Sequence, residues 1–162
     1  MKKLFLLASI ACMALFTSCD KMGVPHTGDD TGNLYGIWRL TTKTIETKDS
    51  EGSVITDETD FDDVHFYLVL NDFPIPHAIA KEGSLSDWDL DDVDVDGSKF
   101  SFNADQKKIS FNSVKLSLIR GKKSMLLWGT FDVVELSSEK FVIKQTLINT
   151  TTFYSFTKEK DK

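Results

Sequence analysis

Six aspartates crowd the twelve residues from Ser86 to Gly97 (SDWDLDDVDVDG). Within it Asp92, Asp94 and Asp96 stand at alternate positions ahead of Gly97. That is the first half of a loop able to wrap a hard cation such as calcium. The second half does not follow, because Asn103 holds the place where such a loop carries its bidentate glutamate. Extended chain spaces same-side residues about 6.6–6.8 Å apart, too far for one ion held at about 2.3–2.6 Å to use three of them. Trp88, Leu90, Val93 and Val95 are interleaved with the acids, which reads as an edge strand with apolar side chains inward and carboxylates in water. The segment is taken as that solvated edge. Asp92, Asp94 and Asp96, with Asp87 or Asp89 behind them, become calcium ligands only if it curls into a loop. No metal and no other cofactor is expected.

The remaining groups offer little for catalysis. His26 lies in a polar stretch near the start, and His65 sits between Val64 and Phe66 on the face opposite the apolar one. His77 follows Phe73-Pro74-Ile75-Pro76 in Asn71 to Ser84, which reads as the longest irregular segment, either a functional loop or a plain cover. A second acidic run, Asp57 to Asp63, reads as a loop. No Gly-x-Ser-x-Gly elbow, His-Glu-x-x-His pair or glycine-rich phosphate loop occurs. The chain is not expected to be an enzyme.

Cys19 carries the clearest chemistry. Met1-Lys2-Lys3 is a short cationic segment, and Leu4 to Phe16 is an apolar run too short to span a bilayer. Thr17-Ser18-Cys19 follows, then polar Asp20 and Lys21. A small residue directly before a cysteine at the end of such a run resembles a bacterial lipobox. The resemblance implies cleavage before Cys19, a diacylglycerol on its sulfur and an acylated amino terminus. The expected address is the cell envelope, with the outer membrane holding the lipid. A single acid after the cysteine leaves both the periplasmic and the outer face open. With Cys12 in the leader and Cys19 acylated, no thiol remains for a disulfide, a zinc site or a nucleophile.

Composition bounds the rest. The 162 residues carry 19 Lys and Arg against 25 Asp and Glu, a net charge of −6. Loss of Lys2 and Lys3 with the leader takes it to about −8. Nucleic-acid binding needs a basic footprint, so it is excluded as a general activity. Residues 1–18 read as signal peptide, and residues 19–33, with three Gly and one Pro and little to bury, read as a flexible tether. Residues 34–158 read as one β domain and residues 159–162 as a solvated tail.

The β reading rests on period-two alternation. Trp38 and Leu40 alternate with Arg39 and Thr41, and Val64, Phe66, Leu68 and Leu70 with His65, Tyr67 and Val69. Phe100 and Phe102 lead through an Asn-Ala-Asp-Gln turn to Ile109 and Phe111, followed by Val114, Leu116 and Leu118. A long strand is expected from Ser124 to Leu136, then Phe141 and Ile143 after a Ser-Ser-Glu-Lys turn, then a closing strand from Thr152 to Lys158. No window of helical length carries a helical pattern. The fold class is all-β, a small antiparallel up-and-down barrel, with a β-sandwich as the alternative.

The opening Leu34-Tyr35-Gly36-Ile37-Trp38-Arg39-Leu40 resembles the entry to a lipocalin-like barrel. Thr130 to Lys144 and Phe153 to Lys158 are similar to the closing strands of the lipocalin-like lipoprotein domains of Bacteroidetes. The resemblance implies that Gly36 and Trp38 close one end, and that a small apolar or amphipathic ligand binds in the mouth. An eight-stranded barrel is just wide enough to be filled by side chains or to hold one small molecule. The inward set is bulky, so both outcomes are open; a cavity would be lined by Phe66, Leu68, Phe100, Phe102 and Phe131. The expected partners are therefore the membrane, through Cys19, and a small apolar ligand. The alternative is an interaction module of a surface complex, binding glycan or assisting an adhesin. That role needs outward aromatic rings, for which Trp88, Trp128, Tyr35 and Tyr67 are the candidates; both tryptophans sit in apolar alternation and read as core.

Overall fold

The computed structural model describes residues 33–71, 77–83, 98–117 and 123–159. The leader with Cys19, the tether and the acidic segment holding Trp88, Asp92, Asp94 and Asp96 lie outside the described residues. Nine strands are described: β1 (Gly36–Lys48), β2 (Val54–Asp60), β3 (Phe66–Asn71), β4 (His77–Glu82), β5 (Ser98–Asn103), β6 (Lys108–Ser117), β7 (Ser124–Leu136), β8 (Lys140–Leu147) and β9 (Thr150–Lys158). The protein is all-β, with every pairing antiparallel.

Two neighbours share one edge of β1. Its first residues, Gly36 to Arg39, pair with β3, and Thr42 to Lys48 pair with β2, so β2 and β3 occupy one strand position. The pairings then run from β3 through β4 to β9 and return from β9 to β1. Eight strand positions thus make a barrel of consecutive neighbours. Its circuit is thinnest between β4 and β5, where only His77 with Lys99 and Ala78 with Ser98 are paired.

Alternation delivers one side of each strand to a common interior. Trp38, Leu40, Phe66, Leu68, Ile109, Phe131, Phe141 and Phe156 are all buried there. Aromatic rings run through it in a chain: Trp38 to Phe141 at 5.3 Å, Phe141 to Phe156 at 5.7 Å, Phe156 to Tyr154 at 6.5 Å, Tyr154 to Phe131 at 6.2 Å and Phe131 to Phe111 at 5.9 Å. Tilted and edge-on pairs at such separations add to the area that each ring buries. A second, smaller cluster of Ile37, Tyr67 and Val69 is buried on the outside of β1 and β3, so Tyr67 is outward in phase yet covered.

Three expectations change. The acidic run Asp57 to Asp63 is not a loop throughout, because Asp57 to Asp60 belong to β2. Nearly every residue of β2 is exposed, so no polarity alternation announces it; Val54, Ile55 and Thr56 supply β propensity and β1 supplies the ladder. The stretch Asn71 to Ser84 is not one irregular segment, since His77 to Glu82 pair with β3. Alanine at positions 78 and 80 gives that strand a weak apolar signal. Trp128, read as core, is 65% exposed, because Met125, Leu127, Phe131 and Val133 take the inward phase of β7.

Candidate functional site

The barrel's two ends differ. At the first, Trp38 is fully buried and its Nε1 donates to the Leu34 carbonyl at 2.7 Å. Lys158, at the end of β9, lays its Nζ 5.0 Å from the Trp38 ring centre and donates to the Asn33 carbonyl at 3.0 Å. Gly36 makes this crossing feasible. Its φ of +129° is one that side chains disfavour, and a Cβ there would meet Lys158 Cε at 3.0 Å. Gly36, Trp38 and Lys158 thus pack together at this end. Arg39 and Glu159 form an ion pair beside it, at 3.1 Å.

The other end is built by a bulge. The pairing of β1 with β9 shifts between Leu40 and Thr42, leaving Thr41 as the extra residue, its hydroxyl donating to the Ser155 carbonyl at 2.9 Å. The inward phase of β1 therefore passes from Trp38 and Leu40 to Lys43, Ile45 and Thr47. Register aligns Lys43 with Tyr154 and Ile143, Ile45 with Asp57, Thr152 and Gln145, and Thr47 with Ile55, Thr150 and Leu147. A four-stranded ribbon, β2-β1-β9-β8, so carries the interior face onward, changing from aromatic to mixed apolar and hydroxyl side chains.

The start of β7 meets this face. Lys43 Nζ lies 5.7 Å from the Tyr154 ring centre and donates to the Ser124 carbonyl at 3.4 Å. Tyr154 donates its hydroxyl proton to the Leu126 carbonyl at 3.1 Å and accepts from Leu126 N–H at 3.4 Å. Gln145 Nε2 donates to the carbonyls of Trp128 and Thr130 at 2.9 and 3.2 Å. Side chains thus take up the carbonyls of Ser124, Leu126, Trp128 and Thr130 along one edge of β7. Half-burial pushes Lys43 below its ordinary 10.5, with Asp57 pulling it partly back. Burial pushes Tyr154 above its ordinary 10.0, which the Leu126 backbone partly offsets.

Lys43, Tyr154 and Gln145 carried no sequence signal of their own. The doubled Thr41-Thr42, which resets the phase of β1, is the one trace of them. Of the residues considered as a cavity lining, Phe66, Leu68, Phe100 and Phe131 are buried among other core side chains. Phe102 is half-buried and also borders a depression on the outer face of β5 and β6. Among the described residues no three His, Cys, Asp or Glu side chains gather as a metal site, and the calcium candidates lie outside those residues. Comparison of the chain with protein-family models, curated proteins and solved structures found no match.

Proposed function

We propose that this chain is a lipid-anchored, lipocalin-like lipoprotein of the cell envelope that binds a small amphipathic ligand at the Lys43–Tyr154 end of its barrel and performs no chemistry on it. The observation that supports this reading is the asymmetry of the two ends. One is plugged by Trp38, Leu34 and Lys158. The other presents a half-buried cation over an aromatic ring, continued by Ile45, Ile55 and Leu147 on the same face. A cation beside apolar surface suits a ligand with an anionic head and an apolar body.

The probe is 1-anilinonaphthalene-8-sulfonate, which combines those two features. Titration into the full chain is expected to give saturable fluorescence that Lys43→Ala weakens about fivefold, the worth of roughly 1 kcal/mol for a partly exposed charge pair. Its pH dependence has a defined sign. Lys43 loses its proton below the ordinary 10.5, so affinity for the sulfonate falls on the alkaline side, within the range where free lysine is still charged. The Lys43→Ala chain is expected to be flat there. Equal affinity of the two chains at neutral pH would remove Lys43 from the site.

Anchoring has a separate test. Cys19→Ser in the expressed full chain is expected to abolish incorporation of a clickable fatty acid and to move the protein out of the membrane fraction. Several acyl chains on one residue make a nearly permanent anchor, so the change should be all or none. Equal label in both chains would refute the lipid anchor.

A further inference from the structure

We infer that the outer face of β5, β6 and β7 is a binding site for a neutral carbohydrate, with Trp128 as its stacking platform. The inference is independent of the ligand proposed for the barrel end. A depression of about 490 Å³ lies on this face, within the usual range of small-ligand sites, roughly 300–1,000 Å³. Ser101, Asn103, Gln106, Ser110 and Thr130 contribute to its lining, and each offers groups that both donate and accept. The cation there, Lys108, is neutralised by Asp132 at 2.6 Å. A lining of hydroxyls and amides with its charge cancelled matches a polyhydroxyl ligand better than a lipid, an anion or a nucleic acid.

Trp128 supplies the apolar partner that a sugar's C–H face requires. It is 65% exposed and stands two residues before Thr130, which is exposed on β7 and borders the depression. Two residues of chain span at most about 7 Å, so Trp128 is attached within about one sugar unit of Thr130.

The backbone around it is irregular on one side and held on the other. The register of β6 against β7 slips between Phe111 and Val114, so Asn112 and Ser113 stand opposite Trp128 as a bulge of β6, which bends that strand and interrupts the ladder beside the indole. Gly129 follows with φ of +82°, where a Cβ would press on Gln145 Nε2 at 3.3 Å. Gln145 in turn holds the carbonyls on either side of Gly129. An exposed indole costs solubility, and here it stands on the outward phase of β7 near a polar depression.

Isothermal titration of the full chain with maltohexaose, cellohexaose, xylohexaose and chitohexaose, and with polygalacturonate as the charged comparison, tests the site. At least one neutral oligosaccharide is expected to bind with Kd near or below about 1 mM, and Trp128→Ala to weaken it about tenfold or more, as for a central aromatic anchor. Thr130→Val, which keeps the shape and removes the hydroxyl, is expected to cost about threefold, and Lys43→Ala nothing. Both altered positions of this site are exposed, so an unchanged melting temperature will certify the fold. No binding of any neutral sugar at about 10 mM, tighter binding of polygalacturonate alone, or equal affinity in Trp128→Ala overturns the proposal. So does concentration-dependent self-association that Trp128→Ala abolishes, which would give the surface to a second copy of the chain.

Discussion

Trp38→Ala is expected to cost about 3–5 kcal/mol, the range for deleting a large aromatic from a core, and to lower the melting temperature by about 10 °C or more. Three separate contributions place it at the upper end. The ring is fully buried and 5.3 Å from Phe141, so truncation leaves an apolar void at the barrel's plug. The Leu34 carbonyl loses the indole N–H, and an unsatisfied buried acceptor costs about 1–3 kcal/mol. Lys158 loses the aromatic face beneath its ammonium. Trp38→Phe separates these terms, since it keeps a ring for Phe141 and Lys158 but removes the donor; it is expected to fall between wild type and alanine. A domain of this size has about 5–15 kcal/mol in all, so Trp38→Ala should remain folded at low temperature. A shift of less than about two degrees in Trp38→Ala would mean that the end is not plugged by this residue.

What the sequence disclosed follows from how each strand is buried. Strands with one wet and one apolar face were legible: β7 spans Ser124–Leu136 as its alternation implies, and β9 needed only Thr150 and Thr151 added at its start. The signal vanished where burial was not one-sided. β2 is wet on both faces, and β4 carries small alanines, so neither shows a contrast of polarity along the chain. Trp128 illustrates a different loss. Met125-Leu126-Leu127-Trp128 is continuously apolar, so either phase satisfies the local pattern. Phe131 and Val133 fix the phase in three dimensions through their place in the core, and the β6 bulge adjusts the neighbouring strand.

The candidate site was harder still, because it is made by register. Lys43, Tyr154 and Gln145 come from three strands and meet only once the Thr41 bulge has shifted the inward phase of β1. A lone lysine in a polar strand half is unremarkable in sequence. Its half-burial and its position over an aromatic ring are tertiary facts. By contrast, Gly36 and Trp38 stand on one strand, and only Lys158 comes to them from elsewhere in the chain. Gly36 in a backbone conformation that disfavours a side chain supplies the physical reason for that spacing.

Phe131→Ala is expected to cost about 3–5 kcal/mol and to reveal whether the barrel's middle is packing or ligand space. Phe131 is 1% exposed, with edge-on neighbours on both sides, Phe111 at 5.9 Å and Tyr154 at 6.2 Å. Each such ring pair adds about 0.5–1.5 kcal/mol to the area term, and truncation removes both at once. The void left would be apolar, and apolar voids of this kind stay dry and accept benzene. Benzene is therefore expected to raise the melting temperature of Phe131→Ala and to leave that of the wild type unchanged, since only a state with an empty site gains by mass action. The same substitution removes the ring packed edge-on against Tyr154, so affinity for the sulfonate probe at Lys43 should fall with it. Equal stabilisation of both chains by benzene, or a loss below about 1 kcal/mol in Phe131→Ala, would mean that the interior already holds room beside Phe131. The amphipathic ligand would then enter the barrel itself, and Lys43 would mark the entrance to its site instead of the site's centre.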